Sequence, residues 1–299
     1  MIGGASPRPA PELVQARPSK LEISLLKIYS FTTGPAVFLG YQSALFRRFL
    51  EDEFELIAVN DGQDEEASAT IERAAAALEL RCERVPLPPC GDPSIGLGNA
   101  MEFALSSLAR NDDDISLLIH GDVFACRPFS ARALFEQADL VAQPELKRSD
   151  DDSAAVYYPW SGVIGLRVGA LADLETARFG PGVVNGVRCD TGGMFALYLA
   201  EHPHLRLRAL VKERVCAGGD YSAFPAGTSP SLFDERGVEL VSGVFFHYLS
   251  GSGWLAAHPS SRAAKQAAAL ELFDDLLGGA TMRPAAHEAV TTPWPEPQG

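Results

Sequence analysis

At 299 residues with 46% hydrophobic content, the chain has enough apolar material for the core of one large α/β domain or two small ones, and disorder throughout is excluded. The formal net charge of -14 argues against general nucleic-acid binding, which needs a cationic surface to displace counterions from phosphate, although a local basic pocket for a small phosphate stays open. Five scattered cysteines without C-x-x-C spacing, Cys82, Cys90, Cys126, Cys189 and Cys216, read as reduced thiols of a cytoplasmic protein, neither a zinc cluster nor a disulfide framework.

Taken in chain order, residues 1–20 read as a disordered arm with no apolar run long enough for a signal peptide. No later run reaches membrane-spanning length. "LLKIYSFTT" (Leu25–Thr33) is a first strand, followed by Gly34-Pro35 and a helix over Tyr41–Leu50. "FELIAVNDG" (Phe54–Gly62) is a second strand, and the Ala-rich segment Glu65–Leu80 the helix after it. "CERVPLP" reads as a third strand, Gly98–Arg110 as a helix opening at its glycine, and "ISLLIH" (Ile115–His120) as a fourth strand buried on both faces. Strands alternating with helices call for right-handed crossovers and a mostly parallel sheet. Beyond it, "DLVAQPEL" and "WSGVIGLRV" (Trp160–Val168) read as strands, "GGMFALYLAEH" as a helix and "VELVSGVFFHYL" (Val238–Leu249) as one last long strand. The acidic runs "NDDD" and "SDDD" are solvated loops. The segment from 282 on reads as a flexible tail, so the organisation expected is an arm over 1–20, one domain over 21–281 and a tail over 282–299.

Four constellations could carry chemistry, and each has a plain structural reading beside the functional one. Asn60-Asp61-Gly62 ends a strand where a carboxylate could hold a base or ribose, and it is also a turn sequence. In His120-Gly121-Asp122 an imidazole and a carboxylate two residues apart could face one cation, with Gly121 admitting a phosphate to the backbone; a lone histidine is more often structural. In "RCDTGGMF", Asp190 or Thr191 could cap the helix that follows, or the carboxylate and the backbone N–H groups of Thr191 and Gly192 could grip a hydroxyl. His247 lies in an aromatic strand that leads into "SGSGW", a loop able to fold over a ligand or simply to connect.

Together the strand–"NDG"–helix opening, "LLIHGDVFACRPFS", "YPWSGVIGLR", "DTGGMFALYL" and "FFHYLSGSGW" resemble a GT-A-fold glycosyltransferase, in which the fourth strand ends in Asp-x-Asp. His120-Gly121-Asp122 looks like that motif with His in place of the first Asp. The resemblance covers most of Leu25–Trp254 at the level of short motifs. It implies an α/β, GT-A-like single domain with a mostly parallel central sheet flanked by helices. It also implies transfer of a sugar from a nucleoside-diphosphate sugar to an unknown acceptor. By the resemblance, His120, Asp122 and His247 would hold Mn2+ or Mg2+, with the imidazole favouring Mn2+. Phe31, Thr32, Asn60 and Asp61 would form the nucleoside pocket, Gly98, Asn99 and Gly121 would face the donor, and Thr191, Gly192, Ser252 and Trp254 would complete its site. Trp160 and Trp254 are flat apolar platforms of the kind sugars stack on, or core residues. Asp190 would be the general base of an inverting transfer or, in a retaining enzyme, a residue that binds donor or acceptor. A second copy of the chain is a candidate partner; nucleic acid is not.

Three rivals differ in their requirements. A sugar nucleotidyltransferase usually carries a glycine-rich basic loop after the first strand, and "SFTTGPAVFLG" has no Arg or Lys. A methyltransferase would need a G-x-G-x-G type loop there, which is absent. A non-catalytic nucleotide- or sugar-binding protein of the same fold is favoured by His120 and opposed by Asp122, Asp190 and His247.

Overall fold

The computed structural model describes residues 25–33, 35–62, 64–86, 92–108, 115–215, 222–226, 238–248, 259–283 and 294. The first half alternates strictly: β1 (Leu26–Thr32), α1 (Val37–Phe49), β2 (Phe54–Asn60), α2 (Glu65–Ala77), β3 (Arg81–Arg84), α3 (Pro93–Leu108) and β4 (Ile115–His120). There follow β5 (Val123–Ala125), α4 (Ala131–Leu134), β6 (Leu140–Arg148), β7 (Ala155–Arg167), the hairpin β8 (Gly182–Val184) and β9 (Val187–Cys189), α5 (Phe195–Glu201), β10 (Leu207–Ala209), β11 (Lys212–Val215), β12 (Val238–Val241), β13 (Phe245–His247) and α6 (Pro259–Leu277). A seven-stranded sheet runs in the order β10-β6-β7-β4-β1-β2-β3. Every neighbouring pair in it is parallel except the two made by β7. This is the α/β architecture expected, a mostly parallel central sheet flanked by helices. A second sheet, β11-β12-β13-β5, is wholly antiparallel.

The alternation of β1 and β4 builds two cores. Ile28, Leu117 and Ile119 pack with Phe38, Leu45 and Phe46 of α1, Phe273 of α6, and the inner residues of the second sheet. Tyr29, Phe31 and Leu118 face the other way, against Met101 and Leu105 of α3 and Phe195 of α5. Both faces of β4 are therefore covered, which explains its unbroken apolar run. Local signals set the helices. Asp64 caps α2 through Ala67 N–H (2.7 Å), with Glu65 and Glu66 on the positive end of its dipole. Arg47 and Arg48 sit in the last turn of α1.

Two expectations need correcting. Helix α3 begins at Pro93, not at Gly98, because Asp92 accepts the N–H of Ser94 (2.8 Å) and Pro93 supplies a preset first helical residue. Residues 238–249 are not one long strand. Ser242 and Gly243 take φ of 50° and 64°, and Val244 N–H donates to Val241 O (3.2 Å). That is the pattern of a primed turn, and it folds the segment into the hairpin β12–β13. At the far end, Met282 is 2% exposed, and Trp294 packs against the core cluster that holds Tyr29 and Phe31.

Gly192 sets the entry to α5. Its φ is +93°, and a Cβ there would lie 2.2 Å from Pro159 O, whereas Gly186 has φ +80° with nothing within 4 Å. Gly192→Ala is therefore expected to lower stability by about 1–3 kcal/mol for the backbone alone and further for the clash, clearly more than Gly186→Ala. Urea midpoints of the two variants decide it: equal shifts would remove the clash from the explanation.

Candidate functional site

The parallel strands end together. Register pairs Thr32 with Asn60 and Phe31 with His120, so β1, β2 and β4 bring these residues to one carboxyl edge. Beyond His120 the chain takes two residues to leave the large sheet for the small one. Gly121 N–H donates to Phe31 O (2.9 Å), and a Cβ on Gly121 would lie 2.8 Å from that same oxygen. Only glycine lets the turn lie so close to β1. Gln42, fully buried in the apolar face of α1, donates through Nε2 to His120 O (3.0 Å) and Val123 O (2.8 Å), holding both ends of the turn. In the second sheet Val123 pairs with His247, and Tyr248 N–H donates to Asp122 O (3.0 Å). Asp122 and His247 are thus neighbours through backbone pairing.

The three side chains converge. His120 Nδ1 lies 3.9 Å and His247 Nε2 3.7 Å from the same oxygen, Asp122 Oδ1. The ligand atoms of all three lie within 4.8 Å of one another, the one group of three such residues among those described. His120 Nε2 is buried and makes no hydrogen bond among the described residues. Two imidazole nitrogens and a carboxylate oxygen at this spacing form a donor set that fits a divalent cation, and the nitrogen content suits first-row transition ions better than Mg2+. Trp160 walls the cluster, its ring 4.8 Å from that of His247 and 6.0 Å from that of His120. Gly162 makes room for this indole, since a Cβ there would lie 2.0 Å from it.

A layer of charge that the motifs did not reveal lies behind the cluster. His247 Nδ1 is 3.1 Å from Glu239 Oε2. Lys212 Nζ sits 3.6 Å from that oxygen, 3.7 Å from Glu145 Oε1 and 4.7 Å above the Trp160 ring. Tyr158 Oη donates to Glu145 Oε2 (3.0 Å) and accepts Asp190 N–H (3.4 Å), and burial pushes its pKa far up. The signals were there to be read: Glu239 is the sole charge in the buried strand Val238–Val241, and Gln42 interrupts the apolar stripe of α1.

The other expected residues fall into three groups. Asp190 is exposed, its carboxylate accepts Thr191 N–H (2.8 Å), and its charge reaches His120; Thr191 Oγ1 donates to Ser94 O (3.1 Å), tying this loop to α3. Asp61 lies at the same edge, where burial lifts its carboxyl to about 6. Others are committed to the fold. Phe31 is in the core, and Thr32 Oγ1 lies 3.3 Å from Ser30 Oγ. The Asn60 amide serves the turn, donating to Ser68 O and accepting Gly62 N–H (both 3.0 Å). Gly98 faces backbone, since a Cβ on it would lie 2.6 Å from Gly180 Cα; Asn99 beside it is half-buried. Ser252 and Trp254 lie outside the described residues.

Burial pushes His120 down to about 4; the charges of Asp122 and Asp190 pull it up and that of His247 pushes it further down, but desolvation dominates. In the unfolded chain the imidazole protonates near pH 6.5. Between those values the unfolded chain takes a proton that the folded chain refuses, so this residue's contribution to stability falls as pH drops from about 6.5 toward 4. Asp61 acts in the opposite sense: raised above its unfolded value, it stabilises at low pH, and that contribution is lost as pH rises from about 4 to 6. His120→Asn should accordingly flatten the decline in urea midpoint between pH 7 and 5, and the His120 ring should titrate near 4 by NMR. A ring titrating near 6.5 would overturn the assignment.

No protein-family model matches the sequence, and no curated protein matches it. Solved structures do. The WbbM bifunctional glycosyltransferase is 12% identical with a TM-score of 0.37 over 65% of this chain and 40% of its own. The mannosyltransferase PcManGT from Pyrobaculum calidifontis, solved with GDP-Man and Mn2+, is 10% identical with a TM-score of 0.38 over 62% of this chain and 54% of its own. A 4-diphosphocytidyl-2C-methyl-D-erythritol synthase is 13% identical with a TM-score of 0.38 over 62% of this chain and 89% of its own. The chain thus spans only about half the length of these two glycosyltransferases. No helix among the described residues is long and apolar enough to cross a membrane. Overlaps of this size support no functional statement, which has to come from the residues of the site.

Proposed function

We propose that the chain is a glycosyltransferase that uses a nucleoside-diphosphate sugar and a divalent metal, preferentially Mn2+. The observation that supports this most is the convergence of His120, Asp122 and His247 at the carboxyl edge of a parallel sheet, where α/β proteins bind their ligands. Charge makes the same point. Asp122 lies against His247, Asp190 is in electrostatic reach of His120, and Glu145 and Glu239 pair with Lys212, so carboxylates crowd the cluster and a diphosphate would be repelled unless a dication came with it.

In this reading His120, Asp122 and His247 hold the ion. When bound, it supplies Lewis-acid neutralisation of charge on the departing nucleoside diphosphate. Asp61, two strand spacings or about 10 Å from β4, meets the nucleoside end of the donor with a carboxyl that burial lifts to about 6. Trp160 bounds the sugar side, its indole shielding the cluster from water. Asp190, exposed and in electrostatic reach of His120, stands where an acceptor hydroxyl can give up its proton, the role of a general base in an inverting transfer. Thr191 and Gly192 fix the loop that carries it.

Calorimetric titration with a panel of nucleoside diphosphates, in Mn2+, Mg2+ and chelator, tests the proposal. One nucleotide should bind only with metal, more tightly with Mn2+ than with Mg2+, and Asp122→Ala should abolish that binding while leaving the far-UV spectrum unchanged. Asp190→Asn should spare donor binding and lower transfer by about 10²–10⁴-fold, the usual range for loss of a positioned acid or base. Binding of a nucleoside triphosphate in preference to every diphosphate would favour nucleotidyl transfer; no nucleotide binding under any metal condition would sink the enzyme reading.

A further inference from the structure

We infer that Glu239 is a positioning residue for the metal site, holding the His247 ring with Nε2 as the metal-facing donor. The inference rests on the metal reading above and extends it to a residue that does not touch the ion. An imidazole has two nitrogens, and which one offers a lone pair is set by the hydrogen bond the other makes. Here the two are cleanly separated: Nδ1 points at Glu239 Oε2 (3.1 Å) and Nε2 at Asp122 Oδ1 (3.7 Å). An ionised carboxylate only accepts, so the proton belongs on Nδ1 and the lone pair of Nε2 is turned toward Asp122 and His120.

The arrangement is built into the sheet. Glu239 and His247 are directly opposed in the β12–β13 ladder, so backbone hydrogen bonds fix their spacing. Both side chains are buried, at 4% and 6% exposure for the residues, which leaves neither much freedom to swing away. A buried carboxylate needs a counter-charge, and Lys212 supplies it from 3.6 Å while its ammonium lies 4.7 Å above the Trp160 ring. Lys212, on β11, is opposed to Val241 of β12, so it too is placed by the ladder of the second sheet. The ring of His247 is thereby held on two sides, by Glu239 at Nδ1 and by Trp160 edge-on at 4.8 Å, while Nε2 faces Asp122 Oδ1 across 3.7 Å. A purely structural carboxylate would satisfy the ring nitrogen just as well, so the claim concerns what Nε2 is free to do. Outer partners of this kind raise the basicity of a ligating imidazole, and their loss typically weakens metal binding by about 10–100-fold.

The experiment uses the full-length chain labelled with 15N at histidine and read without metal by long-range 15N–1H correlation, then titrated with Mn2+ and with Co2+. Wild-type His247 should show the Nδ1–H tautomer. Glu239→Gln, nearly isosteric but able to donate as well as accept, should lose that preference and weaken Co2+ and Mn2+ binding by about 10–100-fold. Glu239→Asp, which keeps the charge but withdraws it by one methylene, should weaken binding too, showing that placement and not charge alone matters. An Nε2–H tautomer in the wild type overturns the inference without reference to any variant. So does metal affinity unchanged in a folded Glu239→Gln. If wild-type protein shows the Nδ1–H tautomer yet binds neither ion, the metal reading itself fails, and Glu239 is left with a structural role.

Discussion

The turn Gly121-Asp122 carries the chain from one sheet to another, and the rest of the site depends on its being held. On one side, the Gly121 N–H is bound to the carbonyl of Phe31 at the end of β1; on the other, the Asp122 carbonyl takes the N–H of Tyr248 beyond β13. Gln42 spans the gap from a buried helix face and binds the carbonyls of His120 and Val123. These are backbone groups leaving one ladder and entering another, where orphaned donors and acceptors would be costly in a buried place. Satisfying them also orders the side chains of His120 and Asp122. Folding and site-building are here served by the same hydrogen bonds.

Around that junction the charges are arranged so that the cluster is polar without being exposed. Several carboxylates stand near the rings, and Lys212 is directed at two of them, Glu145 and Glu239. Low local polarity strengthens each of these pairings and makes any unmatched charge expensive. The depression of His120 to about 4 expresses the same fact, for it lies among carboxylates and still resists protonation. A site of this kind is poorly suited to an anion alone and well suited to an anion that arrives with a cation.

Much of the fold could be read from periodicity. β4 was bounded correctly because a strand covered on both faces is a continuous apolar run ended by polarity, and β1, β2 and α2 were found with errors of one to a few residues at their ends. The hairpin at 238–247 was not, since Ser242-Gly243 inside an apolar run gives only a short turn signal and the Ser at positive φ is an uncommon choice. At the site, His120, Asp122, His247 and Trp160 were singled out from short motifs and the structure brings them together. Asn60 and Gly98 were singled out for equally good local reasons; the Asn60 amide bonds within its turn and Gly98 lies close to the Gly180 backbone. Glu239 went unseen because it meets His247 only through the hairpin turn that was missed, and Lys212 because its pairing with Glu145 joins strands far apart in sequence.

The joining of β5 to β13 has a consequence for how the molecule comes into being. Cys126 Sγ reaches Val244 O across 118 residues of chain, and the ladder that sets His247 beside Asp122 closes a loop of similar length. Loop closure of this size costs entropy before any contact repays it, so such pairings form late. On a ribosome, Asp122 and His120 emerge long before their third partner exists. The half-built chain therefore presents two of the three donors and no site, and the cluster comes together only once the β12–β13 hairpin is available to dock on β5.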